Sequence, residues 1–399
     1  MIAVDLLAGV RVLDLSNVLA GPFAGYQLAL MGAEVIKVEV PGSGDLARHL
    51  GADQELSARG LGISFLAQNA AKRSVTINLK HPQGQEVFRR LVASADVLLE
   101  NFRPGVMERL GFGWEELRAL QPGLVYCAVS GFGQTGPMRD LPAYDQIVQG
   151  LSGVMSTTGT SETAPLRTGF PVCDTLGGFA AAFAVSSALV RRQRTGAGCY
   201  LDVSMLETAL VAMGWVVSDY VIGGQHPAPM GNDNKTAAPS GTFRTADGPL
   251  NIAANKQEQF EALLRVLGRE ELLADPRFAE REQRKRHREE LRVALEETLT
   301  TRGVDDWVAL LAGTGVPAAA VLTVPEALGL PQVRERGLLH EVPVDAGAVR
   351  VLGSSVHVDG AAVGPSGPPP VLGEHTRVEL RGLGYDDGAI DALYQEGAL

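Results

Sequence analysis

The chain has 399 residues, 45% of them hydrophobic and 20% charged, which suffices for a large core and more than one domain. Its net charge of −11 disfavours nonspecific binding to nucleic acid or to an anionic membrane, so an anionic ligand would need a local basic pocket. Three cysteines, Cys127, Cys173 and Cys199, are too few and too scattered for a disulfide framework or a zinc site, and fit a reducing cytoplasm.

The first residues carry no basic stretch followed by a long apolar core, so no signal peptide is expected, and no apolar run is read as a membrane span. "VRVLDLS", residues 10–16, reads as a buried strand. "AGP" then opens a helix that runs to about Met31, where Gly32 ends it. "EVIKVE", residues 34–39, is the next strand and completes a βαβ unit. Strands at 74–79, 96–100 and 124–130 follow, with a Pro-initiated helix at 82–95. This alternation predicts an α/β fold with a mostly parallel sheet covered by helices. Long apolar helices are expected from about Tyr144 to Ile222. "GGQHPAPMGNDNKTAAPSG", residues 223–241, reads as a linker or exposed loop. A hairpin turning at Asp247-Gly248 and several helices then form a smaller domain, and a C-terminal helix packs back on the first domain. The expected boundaries are 1–224 for the large domain, 225–330 for the small one and 331–399 for the linker and return.

Candidate sites are spread along the chain. No "GxGxxG" follows the first strand and no "GxxxxGK[ST]" is present, while "GFGQTG", residues 131–136, precedes two prolines and reads as a loop. The turn "AGP" brings backbone close to a helix N-terminus, which can hold phosphate, but taken alone it reads first as a plain tight turn. Asn69, Lys72 and Arg73, and then Asn101, Arg103 and Arg109, sit near strand ends; they fit either a polyanion or solvated loops. "REQRKRHREELR", residues 281–292, reads as a solvated helix face. Cys173 has no histidine nearby to act as its base and reads as an inert thiol. Tyr144 and Asp145 open a helix, where a role for the acid as N-cap or first-turn charge suffices and a ligand-facing role is not required. In "GFPVCDTLGG" a lone carboxylate, Asp174, precedes sixteen uncharged residues, so it is either a helix cap or a nucleophile. Backbone N–H groups of 175–177 are candidate oxyanion donors in the second case.

Taken together, "VRVLDLSNVLAGPFAGYQLALMGAEVIKVE", "KRSVTINLKHPQGQEVF", "ADVLLENFRPGVMERLGF", "VSGFGQTGP", "PAYDQIVQGLSG", "GAGCYLDVSMLETAL" and "LGEHTRVELRGLGY" resemble the class III CoA-transferase, or CaiB/BaiF, family over nearly the whole chain. The resemblance implies a Rossmann-like large domain built from both chain ends, a smaller α+β middle domain and an interlocked homodimer of ring-like chains. It implies transfer of coenzyme A from an acyl-CoA donor to a carboxylic acid acceptor, with CoA thioester as substrate, no tightly bound cofactor and no metal. Asp174 would be the nucleophile, forming aspartyl intermediates. Val18, Ala20, Lys72, Arg73, Asn101, Phe102, Arg103 and Arg109 would bind CoA, with Tyr144 and Asp145 near the acyl group. The family's glycine-rich lid is not matched, since only Gly223-Gly224 stands there. A racemase of 2-methylacyl-CoA thioesters is the alternative within the family, but Tyr144 occupies the position of its histidine base. A non-catalytic CoA-binding protein is the other alternative, and the intact Asp174 argues against it.

Overall fold

The computed structural model describes residues 4–345 and 347–399. The chain divides into two units, one comprising the residues up to Val154, Arg167–His226 and Pro331–Leu399, the other Met155–Leu166 and Pro227–Leu330. The short segment Met155–Leu166 therefore groups with the second unit, although the sequence reading kept it in the first.

The first unit holds a six-stranded parallel sheet: β1 (Arg11–Asp14), β2 (Glu34–Glu39), β3 (Arg73–Thr76), β4 (Val97–Glu100), β5 (Val125–Ser130) and β6 (Cys199–Ser204). Strand order is β3-β2-β1-β4-β5-β6, so the winding reverses between β1 and β4. The helices of this unit include α1 (Ala20–Leu30), α2 (Gln54–Ala58), α3 (Ile63–Asn69), α4 (Pro82–Ala93), α5 (Val106–Arg109), α6 (Trp114–Leu120), α7 (Asp145–Leu151), α8 (Val172–Thr195), α9 (Met205–Ala212) and α10 (Gly214–Val221). Both faces of the sheet are covered, which is why its central strands are apolar runs rather than alternating ones. Val12, Val35, Val97 and Leu99 pack with α1 and α8 on one face. Leu13, Ile36, Val75 and Leu98 pack on the other, with Val87 and Phe88 of α4. The C-terminal helices Thr376–Gly382 and Asp387–Gln395 add Leu380, Ile390 and Leu393 to that second face. Each such buried side chain contributes roughly 1.5–3 kcal/mol.

Two departures from the sequence reading lie in the region from Tyr144 to Ile222. It contains an edge strand, β6, which alternates too weakly to announce itself and carries Asp202 exposed on the edge. The apolar run after it forms two helices, α9 and α10, that meet at Met213 rather than one. In addition, α8 is 24 residues long and apolar enough to cross a membrane by length and composition. Cys173, Gly177, Ala181, Val185 and Ala188 on one side of it are buried.

In the second unit β7 (Ser240–Arg244), β8 (Pro249–Ala253) and β9 (Ala318–Ala320) form an antiparallel sheet over a core that includes Phe260, Leu264, Leu295 and Trp307. The expected hairpin turn falls between β7 and β8. The basic run 281–292 is not simply a solvated face. Arg284 is 1% exposed and donates to the carbonyls of Ala238 and Phe278. Arg288 and Arg292 follow at helical spacing and bind Ala237, Thr242 and Asp233. Helical spacing puts these guanidinium groups on one side, where the carbonyls of the 233–242 loop need donors.

Candidate active site

The winding reverses between β1 and β4, and it is beyond the carboxyl ends of strands at such a point that open parallel sheets hold their ligand-binding crevice. The turns leaving these two strands are tied to each other. The Asn101 side chain accepts the Asn17 N–H at 2.8 Å and donates to the Asn17 carbonyl at 2.8 Å, imitating a strand partner. Val18 is held at φ +68, a conformation that costs a β-branched residue about 1–3 kcal/mol. Its N–H donates to Asp45 Oδ1 at 3.0 Å. Beside this turn lies a cavity of about 410 Å³, lined mainly by apolar side chains that include Leu15, Val38, Ile77, Phe102 and Leu110, with Lys80 at its edge.

A buried ion network fixes the crevice from below. Lys72 pairs with Asp14 at 2.8 Å and Lys37 with Asp45 at 2.8 Å, all four side chains fully buried. Lys37 and Lys72 also donate to the carbonyls of Ser16 and Pro22. Arg48 grips Glu39 with two bonds of 2.7 Å and stacks on Phe65. Burial alone would raise the carboxyl groups of Asp14 and Glu39, but the neighbouring cations hold both below the usual range.

Asp174 sits in a different setting. It is the third residue of α8, so the helix begins before it rather than after it. Asp145 occupies the capping position instead. Its Oδ1 accepts the N–H groups of Cys173 at 2.8 Å and Asp174 at 3.3 Å, and its Oδ2 accepts Gln149 Nε2 at 2.6 Å. The anion thus meets the positive end of α8 from another helix. Among the described residues nothing donates to the Asp174 carboxylate itself. Burial, and then the charge of Asp145, push its pKa up to about 7. The thiol of Cys173 is pushed up to about 12 by burial and by the same two acids, which keeps it protonated and inert. One turn along α8, Gly178 lies where a Cβ would come within 2.6 Å of the Ala20 carbonyl and 2.8 Å of the Phe23 ring. Only a glycine lets α8 approach the start of α1 this closely. That contact links the Asp174 turn to the Asn17–Val18 turn.

The structure brings together Val18, Ala20, Asn101 and Phe102 around the crevice. Arg103 and Arg109 are exposed on the loop and helix that follow β4, and neither pairs with an acid among the described residues. Tyr144 is 70% exposed as the residue before α7, and Asp145 is buried against α8. Lys72 and Arg73 stand apart from this group. Lys72 is consumed by Asp14 and has no exposed surface on its side chain. Arg73 begins β3, so it lies at the amino end of the sheet, where it binds Glu379 at 2.6 Å. Sequence placed both near a strand end without saying which end. The expected oxyanion donors are corrected too: the Thr175 N–H bonds Pro171 at 3.0 Å, and Leu176 and Gly177 lie inside the helix. The earlier helix start shifts the uncommitted N–H groups to 173 and 174, where Asp145 takes them. Lys80 also lines the cavity, and its place just past the third strand in "TINLK" was a usable signal that the sequence reading did not take up.

Comparison with known proteins is consistent across sequence and structure. The model of CoA-transferase family III matches residues 7–376. The chain is 35% identical over 395 residues to the succinyl-CoA:glutarate CoA-transferase of Mus musculus, covering 98% of this chain and 90% of the relative. It is 40% identical over 353 residues to the acetyl-CoA:oxalate CoA-transferase of Acetobacter aceti, covering 88% and 89%. The crystal structure of a CaiB/BaiF family protein from Brucella suis superimposes with a TM-score of 0.84 at 35% identity, covering 94% of this chain and 99% of that one.

Proposed function

Because the chain belongs to CoA-transferase family III and is an enzyme of that class, we propose that it moves CoA between carboxylic acids through covalent intermediates on Asp174. The observation that carries this reading is the Asp174 carboxylate: it stands at the start of α8 with no hydrogen-bond donor among the described residues and is held near pKa 7. A carboxylate committed to a cation is a poor nucleophile, and this one is uncommitted.

In the proposed sequence an Asp174 oxygen attacks the thioester carbonyl carbon. The C–S bond breaks, CoA leaves as thiolate and a mixed anhydride remains. The thiolate then attacks the Asp174 carbonyl carbon, releasing the donor acid as carboxylate and leaving an aspartyl-CoA thioester. An acceptor carboxylate displaces the thiolate from that carbonyl, forming a second anhydride. The thiolate finally attacks the acceptor's carbonyl carbon, and Asp174 departs as carboxylate. No proton is gained or lost, and one thioester replaces another. Asp145 fixes the first turn of α8 and raises the energy of the Asp174 anion, which favours its acylated state. The CoA moiety enters the crevice beyond β1 and β4, with its apolar cavity receiving the base and with Lys80, Arg103 and Arg109 available to its phosphates. Lys72 serves by holding Asp14 and the Pro22 carbonyl rather than by touching phosphate. The similar proteins that act on glutarate and oxalate favour a dicarboxylic acid as acceptor.

We further propose an interlocked homodimer. Phe179, Phe183 and Val190 of α8, Val211 of α9, and Trp215 and Val221 of α10 are exposed, a concentration of apolar side chains that a second copy would cover. Mass spectrometry of the enzyme incubated with acyl-CoA tests the chemistry. A CoA adduct on the peptide containing Asp174 is expected; an adduct on another residue, or turnover in Asp174→Ala, overturns it.

A further inference from the structure

Deepening the same site, and resting on the reaction just proposed, we infer that Arg167 binds the second carboxylate of the dicarboxylic acid while the first exchanges with Asp174. Arg167 stands beside the capping acid, its Nη2 3.8 Å from Asp145 Oδ2, and its side chain is 45% exposed. A committed arginine–carboxylate bond closes to about 2.7–2.9 Å, so this contact is loose. Nor does Asp145 need it. One of its oxygens is taken by the N–H groups of Cys173 and Asp174, the other by Gln149. Among the described residues no hydrogen bond commits the guanidinium, whose fork carries five donors.

The backbone that carries Arg167 is nevertheless fixed. Gln149, with no exposed surface, accepts the Thr168 N–H at 3.0 Å and the Thr168 hydroxyl at 3.1 Å. Its amide also donates to the Phe170 carbonyl at 3.3 Å, and the single Thr168 hydroxyl proton is shared between Gln149 and that carbonyl, 3.0 Å away. A rigid platform with a free cationic head is a recognition device, whereas a stability device would bury the head. Charge makes the same point. An incoming dianion meets Asp145 and Asp174, and each like charge about 4 Å away costs on the order of 1–4 kcal/mol between bulk water and the protein surface. Among the described residues no cation other than Arg167 forms an ion pair with either carboxylate. Since donor and acceptor acids occupy the same ground in turn, the contact serves dicarboxylates both as free acids and as thioesters.

The test compares wild type, Arg167→Gln and Arg167→Lys. Succinate and glutarate are the dicarboxylate probes, propionate and butyrate the monocarboxylate ones, with acetyl-CoA as donor. Arg167→Gln is expected to raise KM for the dicarboxylates about 10- to 100-fold with little change in kcat, and to leave the monocarboxylates unaffected. Lysine should restore part of the loss. Formation of the CoA adduct on Asp174 from acetyl-CoA should proceed at the wild-type rate, while adduct formation from succinyl-CoA slows. Equal losses for both acid classes, or a slower adduct from acetyl-CoA, would mean that Arg167 merely holds Asp145, and would overturn the inference. So would a wild type that shows no preference for dicarboxylates. A wild type that forms no adduct defeats the reaction itself, and that outcome is read separately.

Discussion

Asp14, Glu39 and Asp45 beneath the crevice and Asp145 with Asp174 at the start of α8 are the same functional group in opposite surroundings. Each of the first three faces a cation at 2.7–2.8 Å, and the backbone they anchor is the turn that holds Val18. The pair at α8 lies close together, with a single loose cation at 3.8 Å. Charge is neutralised where the fold must hold a strained turn. It is left in conflict where a carboxylate must react. Part of the stability secured by the first arrangement offsets the electrostatic cost of the second.

Breaking that contrast at its centre has the largest consequence. Asp174→Asn should lower exchange by roughly four orders of magnitude or more in steady-state assays, since the other groups of the site supply no nucleophile. Next comes the paired region. Lys72→Met leaves Asp14 buried without its direct ion-pair partner and should cost about 3–5 kcal/mol in urea unfolding. Asp14→Asn paired with Lys72→Met should recover part of that loss, and an additive double variant would disprove the coupling.

The reverse sign is expected at Asp174. Its folded pKa of about 7 lies above the ordinary carboxylate value, so its ionisation destabilises the fold progressively from about pH 4 to pH 7 and fully above. Asp174→Asn should therefore be more stable than wild type by about 1–2 kcal/mol at pH 8, after allowance for solvent screening, with no gain below pH 4. Thermal melts at the two pH values check this. For catalysis, kcat/KM for acyl-CoA should rise with pH through an apparent pKa of about 7 and then level off, because only the carboxylate attacks. The smallest effect is expected from Asp145→Asn, which keeps the capping acceptor and removes the charge. The acid limb of that profile should move below 7 by less than the full shift, since burial is the larger cause. An unmoved limb would show that Asp145 does not act on Asp174 electrostatically.

Much of the scaffold was legible in the chain itself. The run "EVIKVE" is β2 to the residue, and "PQGQEVFRRLVASA" begins α4 at its proline, because a strand buried on both faces and a Pro-started amphipathic helix have local signatures. The edge strand β6 was not legible, since its pairing with β5 supplies what its own pattern lacks. Asp174 stood out by its isolation among small and apolar neighbours, but the local pattern left cap and nucleophile equally open.

By itself the sequence determined the α/β alternation, the family and the acid at the head of α8. Those follow from local periodicity and from ordered motifs. Only the tertiary structure decided what each charge does. It gave the capping position to Asp145, 29 residues before Asp174 in the chain, buried Lys72 against Asp14, sent Arg73 to the far end of the sheet and left Arg167 loose beside Asp145. The reason is physical. The behaviour of an ionisable group depends on burial and on neighbours within a few ångströms, and in this fold those neighbours come from distant parts of the chain.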